Sequence, residues 1–247
     1  MAEPALAQRA FSFGSVADAY DRFRPGPPMT AVDWVLRSMG GTAADIGAGT
    51  GALTRVLGER MKAVVAIEPD ARMLEVLKRR SPQAPAVRGW AEQLPIRSGA
   101  LDAVTISSAW HWMDPERTIS EIGRVIRSGG VLGVIWNGAD RSVDWVNELL
   151  GDRDPSPGDT DRRSRHRFEL PSGSPFSDLE GTVVRWSRSM TREQLIGLAG
   201  TYSSTITMAP DDRERELARV RGAAESIVGD GAVEVPMGCR CWRAVRR

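Results

Sequence analysis

A glycine cluster near residue 50 carries the clearest chemical signal in the chain. Gly47, Gly49 and Gly51 follow the segment 43–46 and precede a helical pattern of apolar residues. A strand that ends in such a turn presents backbone N–H groups and the positive end of a helix to a ligand, and glycine permits a close approach. A loop for nucleoside triphosphates is excluded, because no Gly-Lys-Ser or Gly-Lys-Thr follows.

Two acidic residues accompany this turn. Glu68 follows at the end of the next predicted strand, where a carboxylate can accept hydrogen bonds from ribose hydroxyls. Asp45 lies at the end of the first predicted strand, two residues before Gly47, where its charge would repel a pyrophosphate but can bind the ammonium group of an amino acid. Together these residues predict a ligand that combines a ribose with a cationic tail.

A candidate base lies further along, at the end of the predicted fourth strand. His111 is one of two histidines, and an unperturbed imidazole pKa of about 6.5 suits it to accept a proton from a phenol, a hydroxyl or an acidic C–H. A histidine that only shapes the pocket wall is the alternative. Trp110, Trp112 and Tyr20 are candidates to enclose an apolar substrate, and ordinary packing is their alternative role.

Two basic features are candidates for contact with an acidic group. Arg24, in the segment YDRFRP, can anchor a carboxylate. The run from Arg162 to Arg167 can pair with carboxylates or contact nucleic acid, and a solvated loop is the alternative interpretation.

The elements that must position these residues alternate between strands and helices. The predicted strands are 43–46, 63–67, a short strand at Val87, 101–107 and 131–136, and a helix is predicted from Asp114 to Arg127. This order favours right-handed crossovers and a parallel sheet covered on both faces. Later segments predict a strand over 181–190, helices over 191–199 and 210–228, and a strand pair or one long edge strand over 233–245.

Composition and charge exclude several classes of protein. A chain of 247 residues with 41% hydrophobic and 26% charged residues is an ordinary globular domain rather than a disordered chain, a fibre or a disulfide scaffold. A net charge of +1 gives no global attraction to nucleic acid or to an anionic membrane. The two cysteines do not form a disulfide framework, and neither an export signal nor a membrane span is expected, so a cytoplasmic protein is predicted.

Five segments together resemble the class I S-adenosylmethionine-dependent methyltransferases. They are DIGAGTGALT at 45–54, IEPD at 67–70, AEQLP at 91–95, LDAVTIS at 101–107 and RVIRSGGVLGVIW at 124–136. FGSVADAYDRFRP at 13–25 and AWHWMDPER at 109–117 are similar to the bacterial small-molecule group often called methyltransferase type 11. The resemblance covers most of the chain.

The resemblance implies an α/β fold with a doubly wound, seven-stranded, mostly parallel sheet of the Rossmann-like kind, its last strand antiparallel. It implies one domain over 1–247, with an N-terminal helical cover at 1–40, a cofactor-binding core at 41–137, a lid or insertion at 138–180, and 181–247 completing the sheet.

S-adenosylmethionine is the implied cofactor. The implied cofactor residues are Asp45, Gly47, Ala48, Gly49, Gly51, Glu68, Pro69, Asp70, Met73, Ala91, Glu92, Ser107 and Ser108. The expected substrate pocket contains Tyr20, Arg24, Trp110 and Trp112. One position departs from the pattern: many relatives carry an aspartate where this chain has Trp90, so adenine would depend on Glu92 or on ring stacking.

These features predict methyl transfer to oxygen or carbon of a small molecule by a monomer or a homodimer. Two alternatives stay open: a protein that binds the cofactor without catalysis, and a nicotinamide oxidoreductase, which Asp45 disfavours. Nucleic acid is not the expected partner, because the fourth strand is followed by Ser-Ser-Ala-Trp at 107–110 rather than by an Asn/Asp-Pro-Pro-aromatic motif. No metal is expected, since Asp114 and Asn137 form only a generic pair of ligands.

Overall fold

The computed structural model describes residues 11–37, 39–151, 167–177, 179–229 and 231–247, and one seven-stranded sheet lies at its centre. The strands are β1 Thr42–Ile46, β2 Ala63–Ile67, β3 Ala86–Val87, β4 Leu101–Ser107, β5 Ile126–Ala139, β6 Glu180–Thr191 and β7 Ala232–Val245. Their order is β3-β2-β1-β4-β5-β7-β6, and β7 pairs antiparallel with both of its neighbours. Six strands therefore run in one direction and β7, the last strand in the chain, runs in the opposite direction. This arrangement confirms the predicted fold class.

Helices cover the sheet. They are α1 Ala17–Phe23, α2 Met29–Leu36, α3 Ala52–Gly58, α4 Ala71–Arg80, α5 Pro115–Val125, α6 Asp144–Leu150, α7 Arg192–Gly200, α8 Ser203–Ile206 and α9 Pro210–Val228. Two short 3-10 turns lie at Phe13–Val16 and Trp110–Trp112. Within the described stretches, no helix combines the length and the apolar character that a membrane crossing requires.

Two elements differ from the sequence-based prediction. The helix predicted to reach Arg127 ends at Val125, because Ile126 is buried and pairs with Leu101 at the start of β5. The segment 232–245 is one strand, but it lies inside the sheet, and β6 forms the edge. Side chains along β7 alternate in burial because one face of the sheet is covered. This pattern does not show whether β7 has one neighbouring strand or two.

Close contact between α2 and β5 depends on Gly133. A Cβ atom at this position would overlap Val35 Cγ1 of α2, whereas one at Gly138 of the same strand would meet nothing within 4 Å. We expect Gly133→Ala to lower the free energy of unfolding by about 1–3 kcal/mol, because the helix must shift from a well-packed sheet. Urea unfolding measures the effect with Gly138→Ala as the matched control, and equal midpoints for the two variants would contradict this packing.

Candidate active site

A cleft opens at the carboxyl edge of the sheet, where the chain passes from β1 to β2 on one side and β4 lies on the other. Open α/β sheets bind their ligands at such a switch point. The cleft holds about 520 Å³ of empty space, part of it open to solvent. Its lining is Tyr20, Arg24, Pro25, Gly26, Pro27, Asp45, Gly47, Ala48, Gly49, Thr50, Ala52, Leu53, Ser107, Ser108 and Asn137.

The turn after β1 requires glycine. Gly47, Gly49 and Gly51 have φ angles of 66°, 57° and 86°, in the left-handed region that side chains disfavour. A Cβ atom on Gly47 would also lie only 2.6 Å from the Cβ of Ala109, in the loop after β4. The turn therefore fits closely against the neighbouring loop and leaves its outer side to the cleft.

Backbone N–H groups of this turn already have acceptors within the protein. Gly47 and Ala48 both donate to the carbonyl of Ile67, at 2.8 and 3.1 Å. Gly49 donates to Oε2 of Glu68 at 2.8 Å. Phosphate binding at a helix N-terminus depends on N–H groups that point at the ligand. The observed hydrogen bonds thus argue against a pyrophosphate cradle and against the nicotinamide alternative.

Asp45 is a buried carboxylate that lines the cleft. Its Oδ2 accepts a hydrogen bond from the Thr54 hydroxyl at 2.6 Å, and its Oδ1 makes none with any described residue. Burial raises the pKa of this carboxyl to about 7. The hydrogen bond from Thr54 lowers the pKa in part, and the nearby charge of Glu68 raises it further. A buried carboxylate with an unused oxygen suits a cationic ligand group such as an ammonium.

Glu68 lies beside the cleft, at the end of β2. Its Oε1 accepts from the N–H of Asp70 at 2.9 Å, while Oε2 holds Gly49. Burial raises the pKa of this carboxyl. Each carboxylate oxygen can accept a second hydrogen bond, so Glu68 retains capacity for ribose hydroxyls.

The residues predicted to flank adenine lie outside the cleft lining and make contacts of their own. Asp70 Oδ1 accepts from the N–H of Arg72 at 2.9 Å and caps α4. Glu92 accepts from the N–H of Asp114 at 2.9 Å, at the start of α5. The other predicted cofactor residues outside the lining are Gly51, Glu68, Pro69, Met73 and Ala91.

An aromatic cover lies over this neighbouring region. Phe13 packs edge-on against Tyr20 at 5.6 Å and against Trp112 at 6.2 Å, measured between ring centroids. Met73 is buried beneath Phe13 and Tyr20. Trp90 is half exposed and contacts Phe11. The N-terminal segment therefore covers the face where adenine is expected.

The turn that carries His111 follows a strained position. Ser108, which is not glycine, has a φ of 53°, and such left-handed residues are concentrated at functional sites. The His111 ring lies 4.3 Å from that of Trp112, between centroids. Trp110 points instead into the core, 4.7 Å from Phe168. Trp110 is therefore part of the core. None of the three residues Trp110, His111 and Trp112 lines the cleft.

Asn137 is a cleft residue whose structural role the sequence did not reveal. Its Nδ2 donates to the carbonyls of Pro25 and Gly26, each at 3.0 Å, and its Oδ1 accepts from Trp186 Nε1 at 3.1 Å. Asn137 therefore fixes the α1–α2 linker to the end of β5. The sequence offered it only as half of a generic pair of possible ligands, for which no metal was expected. Its structural role was not predicted, because its partners on that linker lie more than 100 positions away. Its place at the end of a predicted strand is the one local signal that could have identified it.

The basic run falls largely outside the described residues. Positions 162–166 are not described, and Arg167 pairs with Glu169 at 2.8 Å on the surface. Among residues that the structure describes, no three His, Cys, Asp or Glu side chains are grouped as a metal site would require.

Comparison with known proteins identifies the family. The family model described as a methyltransferase domain matches residues 44–134. An uncharacterized methyltransferase of Mycobacterium tuberculosis is 39% identical over 240 residues, which cover 95% of this chain and 96% of the relative. A methyltransferase-like protein of Schizosaccharomyces pombe is 30% identical over 86% of this chain and 85% of its own length.

A solved methyltransferase structure from Anaeromyxobacter dehalogenans has the same fold, with a TM-score of 0.71 and 24% identity over 91% of this chain and 98% of that one. Fold, glycine turn and relatives agree, and the chain belongs to the class I S-adenosylmethionine-dependent methyltransferases.

Proposed function

We propose that this methyltransferase binds S-adenosylmethionine in the cleft and, as a single domain, transfers its methyl group to oxygen or carbon of a small-molecule acceptor. The observation that carries the proposal is Asp45, a buried carboxylate in the cleft lining whose Oδ1 has no hydrogen bond from any described residue. Its charge complements the ammonium of the methionine end, and the turn beside it leaves no N–H of Gly47, Ala48 or Gly49 for a phosphate.

The chain's own residues divide the work of binding. Asp45 holds the ammonium, Glu68 accepts from the ribose hydroxyls, and the glycines allow the methionine end to lie against the turn. Ser107 and Ser108 line the opposite wall of the cleft at the end of β4. When bound, S-adenosylmethionine supplies a methyl group on a sulfonium, which is open to attack by a nucleophile.

Positioning is the main task on the acceptor side. Methyl transfer is an in-line displacement, so the enzyme must hold the acceptor close and aligned and must exclude water. Tyr20 in the cleft wall, with Phe13 packed against it and Trp112 packed against Phe13, provides an apolar cover for these tasks. This cover favours an acceptor with an aromatic or aliphatic body over a nucleic acid strand.

His111 is the candidate base for the acceptor's proton. It lies in the turn after β4, at the same edge of the sheet as the cleft, and its ring contacts that of Trp112. We expect His111→Ala to lower the turnover number about 100-fold, as for loss of a general base, and to change the dissociation constant of S-adenosylhomocysteine less than twofold. Steady-state kinetics and calorimetry measure the two quantities. An unchanged turnover number would assign His111 to the pocket wall.

The function is tested by incubating the purified protein with S-adenosylmethionine and a panel of small carboxylic acids, phenols and acidic C–H compounds. Mass spectrometry detects the methylated product, and S-adenosylhomocysteine is quantified in the same sample. Transfer RNA and duplex DNA serve as comparison acceptors. Methylation of a panel member supports the proposal, and methylation confined to nucleic acid contradicts it.

A further inference from the structure

The loop that follows β5 carries an exposed arginine. β5 ends at Ala139, shortly after the cleft residue Asn137, and Arg141 follows in the loop before α6. In the sheet, β4 lies between β5 and β1, and the three strands are parallel. Their carboxyl ends meet at one edge, where open α/β sheets bind ligands. Arg141 therefore lies at the cleft's edge of the sheet, beyond β4 from Asp45 and the glycine turn.

Arg141 packs on an aromatic ring that a second arginine also contacts. The guanidinium carbon of Arg141 lies 5.3 Å from the ring centroid of Tyr202. The guanidinium carbon of Arg24, which donates hydrogen bonds to Thr201, lies 4.4 Å from the same centroid. Neither arginine has a carboxylate of the described residues within 4.0 Å, whereas Arg22 on α1 has one at 2.7 Å. Two uncompensated positive charges thus lie over one ring.

The carboxylate adjacent to Arg141 in the sequence is engaged by other groups. Oδ1 of Asp140 accepts from the N–H of Ser142 at 3.1 Å and from its hydroxyl at 2.6 Å. Oδ2 lies 3.9 Å from Nε of Arg185 on β6. The hydrogen bonds from Ser142 lower the pKa of Asp140, and the charges of Arg185 and Arg240 lower it further. Asp140 is therefore an ionised partner of these groups and does not pair with Arg141.

The guanidinium of Arg141 has its hydrogen-bonding capacity available. An arginine carries five N–H donors in a planar fork, which matches a carboxylate in two parallel hydrogen bonds. Contact with the Tyr202 ring uses the face of the guanidinium or its charge and requires none of these donors. This contact also restricts the side chain before a ligand arrives, which reduces the entropy lost on binding. One guanidinium balances the single charge of a carboxylate.

We propose that Arg141, placed on the ring of Tyr202, binds a carboxylate of the methyl acceptor. This inference rests on the proposed function and names the class of acceptor: a small molecule with a carboxylate remote from the atom that is methylated. The two groups are separate because Arg141 lies outside the lining of the cleft. The positive charge of Arg24 over the same ring adds to the attraction. Arg141 is thus a determinant of acceptor specificity.

Matched pairs of a carboxylate and its neutral amide test the proposal. The probes are para-hydroxybenzoate, para-hydroxyphenylacetate and para-hydroxyphenylpropionate, each with its amide, so that the phenol and the carboxylate lie at three separations. Isothermal titration gives the dissociation constant of each probe for protein saturated with S-adenosylhomocysteine. The variants are Arg141→Met and Arg141→Lys. Arg185→Met is the matched control, because it removes an equal charge from a side chain that is exposed and lies beside Asp140.

We expect at least one carboxylate to bind the wild-type protein about tenfold more tightly than its amide, as for a charge-assisted hydrogen-bond pair. Arg141→Met should abolish this difference and leave the affinities for the amides and for S-adenosylhomocysteine within about twofold of wild type. Arg141→Lys should recover part of the preference, since it keeps the charge without the fork. Arg185→Met should keep the preference in full.

A wild-type protein that prefers none of the carboxylates, or an Arg141→Met variant that keeps the preference, would overturn the inference. An equal loss for carboxylate and amide would also overturn it, because Arg141 would then act only by packing on Tyr202. Circular dichroism confirms that each variant is folded. Failure of the proposed function gives a different result: S-adenosylhomocysteine would not bind, or no acceptor would be methylated, whatever the preference between carboxylate and amide.

Discussion

Asp45→Asn should weaken S-adenosylhomocysteine binding at pH 8 by about 100-fold or more. The substitution keeps the size of the side chain and an acceptor for the Thr54 hydroxyl, but it removes the charge that faces the ammonium. Removing one partner of a buried ion pair costs about 3–5 kcal/mol, which corresponds to a loss of this size. Isothermal titration of wild type and variant measures the difference.

The matched control is Asp102→Asn. Asp102 lies on β4, at the opposite edge of the sheet from the cleft, where it accepts from the N–H of Thr42 at 2.7 Å. This variant should bind S-adenosylhomocysteine with wild-type affinity. Wild-type affinity in Asp45→Asn would show that Asp45 serves the turn alone and not the ligand.

Affinity for S-adenosylhomocysteine should rise about tenfold per pH unit between pH 5 and pH 7. Burial raises the pKa of Asp45 to about 7, so the empty protein carries a neutral carboxyl below that pH, whereas an ammonium ligand favours the charged form. Binding must then release about one proton at pH 6. Titration in buffers of different ionisation enthalpy counts the proton, and a flat profile that Asp45→Asn does not alter would contradict this linkage.

The raised pKa of Asp45 also lowers the stability of the ligand-free protein as the pH increases. A carboxyl whose pKa rises from 3.8 unfolded to about 7 folded loses stability as the pH increases through that interval. The full cost above pH 7 is on the order of 4 kcal/mol. Ligand-free Asp45→Asn should therefore gain stability over wild type from pH 5 to pH 7 in urea unfolding, although it binds the cofactor poorly. If the free energies of unfolding of the two proteins changed with pH in the same way, the raised pKa of Asp45 would be contradicted.

The first half of the fold could be predicted because its signals are local. Segments such as 63–67 are continuous apolar runs, and each is followed by a turn residue and a helical pattern. The position of β7 could not be predicted in this way. Its place between β5 and β6 depends on pairings with residues far away in the sequence, and its own alternation is compatible with an edge strand.

The same distinction applies to the site. Asp45, the glycines and Glu68 form a local pattern, and the structure brings Asp45 and the turn into one cleft with Glu68 beside it. Asn137 and Thr201 were not predicted as supports, because their contacts to the α1–α2 linker span 111 and 177 positions. Trp110 was assigned to the pocket from its neighbours in the sequence, whereas its burial and its contact with Phe168 show that its ring lies in the core.

We propose that the cleft takes an adenosyl ligand with an amino-acid end. The most direct test is calorimetric titration of the wild-type protein with S-adenosylmethionine, S-adenosylhomocysteine and NAD under one set of conditions. Binding of the first two in the micromolar range, with no heat from NAD, is the predicted result. Binding of NAD without the other two would contradict the assignment of Asp45 and of the glycine turn.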